Sequence, residues 1–135
     1  MINRGFANLL SNDLPKTRQW YVELLGWEVE FGSDWFVHLR SPAAPKVELG
    51  IMAADHELVP ESITLGAGGT LLTFVVDDVD DVHLQATNLG YTVVEPPTDM
   101  FYGQRRMILR DVDGNHVDIS SLSTQRPTTN GANSV

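Results

Sequence analysis

Cysteine is absent from these 135 residues. That excludes disulfides, thiolate nucleophiles and cysteine-ligated zinc or iron–sulfur centres. Long apolar runs are missing too, and nothing approaches the roughly 18 residues that a membrane-spanning helix needs. The opening "MINRGFANLLSNDL" has no basic stretch followed by an apolar one. No secretory signal is therefore expected, and the expected location is the cytoplasm, with no membrane partner. Positive charge is scarce: 9 Lys and Arg stand against 18 Asp and Glu, for a formal charge of −9. Nucleic-acid binding needs clustered cations that release counterions, so no nucleic-acid partner is expected. The same acidic field keeps a chain soluble and draws in cationic small molecules.

What is present is a repeat. The hydrophobic content of 42%, in a chain the size of one domain, suffices for a real core. "FANLLSNDL" (6–14) leads into helix-like "PKTRQWYVELLG" and strand-like "WEVEF". "LLTFVVDDV" (71–79) leads in the same order into "DDVHLQATNLG" and "YTVVE". Asn12 or Asp13 can cap the first helix, with Pro15 in its first turn and Gly26 as its stop; Asp77 or Asp78 and Gly90 repeat the arrangement. Trp20, Tyr21, Leu24 and Leu25 make one apolar helix face, and Val79, Val82, Ala86 and Leu89 the other. Further on, "HLRSPAAPKVEL" (38–49) overlies "ILRDVDGNHVDI" (108–119) at a constant offset without a gap, pairing Leu39 with Leu109, Arg40 with Arg110 and Val47 with Val117. In that alignment Glu48 falls on Asp118.

These observations predict an α+β fold of two tandem βαβββ units forming a half-open mixed sheet cleft with helices outside. The units cover about 4–52 and 70–121 of a single domain, 1–121, joined by a connector at 53–69. "GAGG" (66–69) reads as flexible linker rather than phosphate loop, because no Lys follows and a strand comes next. The stretch 122–135, small and polar, is expected to be a flexible tail. "DVDG" (111–114) reads as a hairpin turn rather than a calcium loop, since Asp-Gly and Gly-Asn supply positive φ. Trp20, Trp27, Phe31 and Phe74 are assigned to the core.

The segments "SNDLPKTRQWYVELLGWEVEF", "VVDDVDDV", "LGYTVVEPP", "YGQRR" and "LRDVDGNHVDI" together resemble the vicinal oxygen chelate superfamily, which includes glyoxalase I, extradiol dioxygenases and bleomycin-resistance proteins. The resemblance spans about residues 4–121 and implies a homodimer, with arms exchanged between subunits in some members. Family enzymes hold a divalent metal with one residue on the first and one on the last strand of each unit. Here those places fall on Phe6, Glu48, Leu71 and Asp118. Phe6 and Leu71 have no donor atoms, and two carboxylates alone hold a metal weakly. No metal and no cofactor are therefore expected. A rebuilt site from His38, Glu48, His116 and Asp118 is the alternative, with metal-dependent lyase, isomerase or dioxygenase chemistry. Glu48 and Asp118 are also the weak candidates for acid–base catalysis, because burial and mutual repulsion would raise one carboxyl. Arg105 or Arg106 would relieve that cost.

The "YGQRR" segment resembles the Trp-Gly-x-Arg element of bleomycin-resistance-type members, whose aromatic side chain lies in the ligand crevice. The expected ligand-binding set is Phe6, Asn8, Trp35, His38, Glu48, Phe101, Tyr102, Arg105 and Asp118. Aromatic faces stack on planar ligands and attract cations. His56 and His83 are placed away from it. The expected function is metal-independent binding of an antibiotic or metabolite that is planar or cationic. A third reading keeps the cleft as a vestige in a protein-interaction module.

Overall fold

The computed structural model describes residues 1–43, 46–63 and 70–123. The expected linker glycines at 66–69 and most of the expected tail, 124–135, lie outside the described residues. The fold is α+β and divides into two compact units, Met1–Gly66 and Ala67–Val135.

In the first unit, β1 (Ala7–Ser11), α1 (Leu14–Leu25), β2 (Glu28–Gly32), β3 (Phe36–Arg40) and β4 (Glu48–Ala53) form a four-stranded sheet of order β1-β4-β3-β2. The β1–β4 pair is parallel and the other two are antiparallel. Helix α1 starts where Asp13 accepts a hydrogen bond from the Lys16 N–H at 3.2 Å, satisfying one orphan donor. It stops at Gly26, whose φ of 74° is left-handed backbone that glycine adopts without strain. Its apolar face buries Trp20, Tyr21 and Leu24 over β3 and β4. Val37, Leu39, Leu49 and Ile51 meet it from the sheet, each 2% exposed or less. Burying each such side chain contributes about 1.5–3 kcal/mol.

The second unit repeats the order with β5 (Leu71–Val75), α2 (Val79–Leu89), β6 (Thr92–Asp99), β7 (Gln104–Arg110) and β8 (His116–Leu122), in sheet order β5-β8-β7-β6. Asp78 caps α2 by accepting from the Asp80 N–H at 2.9 Å, and Gly90 ends it at φ 77°. Val79 and Ala86 are buried, together with Met107, Leu109, Val117 and Ile119. Leu89, assigned to the apolar face of this helix, is exposed at its last position. Strand β8 runs through Leu122, and the Ser123 hydroxyl donates to Asp99 at 2.9 Å, so order reaches past the boundary expected for the tail.

Three further expectations change. Phe31 belongs to edge strand β2, every residue of which is exposed; it is 56% exposed beside a bulge, not core. Phe74 is half-buried. The gapless match between the hairpins also fails. Leu39 pairs with Leu49, whereas Leu109 pairs with Val117, so the second loop is two residues tighter. By pairing, the counterpart of Glu48 is His116, and that of Asp118 is Gly50. A slip of two keeps every side chain on its original face.

The tight loop is the predicted turn. Asp111 accepts from the Asp113 and Asn115 N–H groups, both at 2.9 Å, and from Asn115 Nδ2 at 3.0 Å, while Gly114 takes φ 90°.

Candidate functional site

Strand alternation points every second residue of β3 and β4 away from α1. Phe36, His38 and Arg40 share that face of β3 with Glu48 and Gly50 of β4, as the pairs His38–Gly50 and Arg40–Glu48 require. Asn8 joins them through its pairing with Gly50, and Phe6 lies two residues earlier on the same side. Gly50 matters here by what it lacks. A Cβ at that position would collide with Asn8 Oδ1 and stand 3.1 Å from Phe36 Cε1. Asn8 therefore lies directly on bare β4 backbone, which brings β1's polar side chain into the site.

At the centre is the Glu48 carboxylate. Arg4 Nε donates to Oε1 at 3.0 Å and to Oε2 at 2.8 Å, and Arg4 Nη2 also donates to Oε1. His38 Nε2 lies 2.6 Å from Oε1 and 3.1 Å from Arg4 Nη2. Phe6 closes the group: its ring stacks on His38 at 5.3 Å, and the Arg4 guanidinium sits 5.2 Å from its centroid. Hydrogen bonding from Arg4 is the largest cause taking the Glu48 carboxyl from 4.5 down to about 2; partial desolvation opposes it and His38 reinforces it. Of the two carboxyls for which an upward shift of one was expected, Glu48 is shifted down.

The sequence-predicted residues Phe6, Asn8, His38 and Glu48 come together in the first unit. Arg4, which completes the group, carries no motif. Its one legible signal is the alternation Arg4, Phe6, Asn8, which in extended chain puts all three on one side. Trp35 stacks on His56, with centroids 4.0 Å apart and 13° between planes. His56 was expected to stand apart; the turn after β4 instead brings it to the tryptophan.

In the second unit Asp118 is 8% exposed. It accepts hydroxyl hydrogen bonds from Thr73 at 3.1 Å and Ser120 at 2.7 Å. Neither arginine relieves it. Arg105 makes a two-pronged contact with Asp80 at 3.0 and 3.1 Å and reaches Asp99 at 3.4 Å; Arg106 pairs with Glu95 at 3.3 Å. Hydrogen bonding to Asp80 pushes the Arg105 guanidinium up. The physical reason is strand alternation and reach: the nearer carboxylates of α2 and β6 take the guanidinium groups first. Phe101, 63% exposed, meets Tyr102 edge-to-face at 5.2 Å. A hollow of about 410 Å³ in this unit is lined by Asp77, Asp78, Asp80, Asp99, Arg105 and residues of β8.

These donors do not fit a resident divalent ion. Phe6 and Leu71 offer no side-chain lone pairs, and Glu48 already accepts from a guanidinium. The pairing gives the second unit's matching place to His116, opposite Arg110 and beside Leu71, while Asp118 accepts from two hydroxyls. Among the described residues no three His, Asp or Glu side chains gather as a ligand group. Also among the described residues, no helix is long and apolar enough to cross a membrane.

The chain is similar to known proteins over most of its length. The model of the Glyoxalase/Bleomycin resistance protein/Dioxygenase superfamily matches residues 5–119. A glyoxalase/bleomycin resistance protein/dioxygenase family enzyme from Burkholderia phytofirmans is 24% identical in sequence and superposes with a TM-score of 0.72, covering 87% of this chain and 97% of its own. A member of the same superfamily from Sphaerobacter thermophilus is 22% identical at TM-score 0.72, with 90% and 98% covered. An integron cassette protein from V. cholerae is 20% identical at TM-score 0.70, with 91% and 97% covered. No curated protein is similar enough to count as a match.

Proposed function

The chain belongs to the Glyoxalase/Bleomycin resistance protein/Dioxygenase superfamily, and within it we propose a metal-independent protein that binds a planar or cationic antibiotic or metabolite. The observation that carries this reading is Glu48, a carboxylate at a family metal position whose two oxygens accept hydrogen bonds from the Arg4 guanidinium. Beside it stand an aromatic ring and an imidazole already stacked on each other. Such a surface recognises by stacking and charge. A micromolar ligand would need about −8 kcal/mol, within the reach of one stacked ring and one charge-assisted contact plus burial. Trp35, Phe101, Tyr102, Arg105 and Asp118 are the further residues assigned to ligand contact.

The test combines metal content with binding. Protein made in medium supplemented with Zn, Fe, Mn and Ni is expected to carry no stoichiometric metal. Its melting temperature is expected to rise with some members of a panel of planar heteroaromatic compounds, equally before and after chelator treatment. A stoichiometric metal whose removal abolishes the response would refute this reading.

A further inference from the structure

Arg4 and its partners differ sharply in how they are held. Glu48 and His38 are fixed by neighbouring strands, and their side chains are only 23% and 13% exposed. Arg4 lies outside every strand and helix, ahead of β1, and its side chain is 56% exposed. The receiving half of the contact belongs to the sheet; the inserted half comes from the segment ahead of it. Yet the inserted group is recognised in full. One edge of the guanidinium is forked onto the carboxylate, its plane is near an aromatic ring, and its outer nitrogen reaches an imidazole. A forked carboxylate and an aromatic face together select a flat cation over a compact ammonium.

We propose that the Phe6, His38 and Glu48 face is a binding site for ligands bearing an amidinium or guanidinium group, with Arg4 as a built-in occupant that such a ligand displaces. This rests on the small-molecule-binding reading above and narrows it to one ligand class. Exchange is cheap, because the ligand's cation remakes the contacts that Arg4 gives up, and an exposed ion pair contributes little net stability. The tethered side chain acts as an internal competitor at high effective concentration. Apparent affinity is then reduced by the fraction of molecules in which Arg4 occupies the face.

Benzamidine and its neutral isostere benzamide are the probes, titrated calorimetrically into the wild type, Arg4→Ala and the double variant Arg4→Ala/Glu48→Gln. Arg4→Gln serves as a second single variant that retains side-chain bulk. Benzamidine is expected to bind both single variants at least tenfold more tightly than the wild type. Benzamide should be indifferent to the change, and the double variant should lose the gain. Equal benzamidine affinity in wild type and single variants, no benzamidine binding to any of them, or a gain shared by benzamide each overturns the proposal. If a planar compound from the panel still binds the wild type with an affinity that ignores Arg4, the broader function stands and this inference falls. If nothing binds any variant, both fall together.

Discussion

At the Glu48 carboxyl, local sequence and distant contact pull in opposite directions. A carboxylate on a half-buried strand face should be pushed up by desolvation. Arg4, 44 residues away in sequence, reverses the sign and brings it to about 2. Since the folded value is depressed, the pairing contributes stability that is fully present above the unfolded value of 4.5 and is lost as pH falls through the folded one. The window is therefore acidic, between about pH 4.5 and pH 2. Carbon-detected NMR titration should show Glu48 still ionised at pH 3 in the wild type. In Arg4→Ala its midpoint should move up toward the ordinary range. An unchanged midpoint would mean that His38 alone sets the charge. Asp118 shows the opposite solution, a carboxylate fed by the Thr73 and Ser120 hydroxyls of its own sheet.

Among the elements, the β7–β8 turn is organised by the hydrogen bonds of one side chain. Asp111 is 4% exposed and satisfies two backbone donors and one side-chain amide. Asp111→Ala leaves those donors without their acceptor in a part-buried place, so a loss of about 1–3 kcal/mol is expected. Urea unfolding reads it as a lower midpoint at unchanged slope. Asp111→Asn, which keeps one acceptor oxygen, should recover part of the loss. The turn and both helix caps were legible in sequence because each is decided within four or five residues. The hairpin register was not. Identities such as Val47 and Val117 suggested a gapless match, but loop length sets register, and the loops differ by two residues.

For the molecule as a whole, the strands left at sheet edges matter most. Edge strand β2 exposes Val29 and Phe31, and edge strand β5 exposes Leu71 and Val75 at 50% and 59%. Unpaired edges with apolar side chains invite pairing with another chain unless they are covered. A homodimer is therefore expected, and sedimentation equilibrium should give twice the 14.9 kDa chain mass at micromolar concentration. A monomer across that range would remove this expectation without touching the Arg4 test. The charge of −9 belongs to this scale as well. It favours approach of cations such as the benzamidine probe, an effect that added salt weakens.

The repeat, the helix faces with their caps, the Asp-Gly-Asn turn and the α+β class all follow from patterns that repeat over a few residues, so the sequence alone determined them. The resemblance singled out Phe6, Asn8, His38 and Glu48, but the pairing of β1, β4 and β3 is what puts them on one face. Only tertiary structure decided which charges meet: Arg4 with Glu48, Arg105 with Asp80, His56 against Trp35. It also decided that Phe31 stays in water on an edge strand. The physical reason is that an ion pair or a stacked ring depends on which strands become neighbours. Neighbours in these sheets are set by packing over dozens of residues, which no short window of sequence contains.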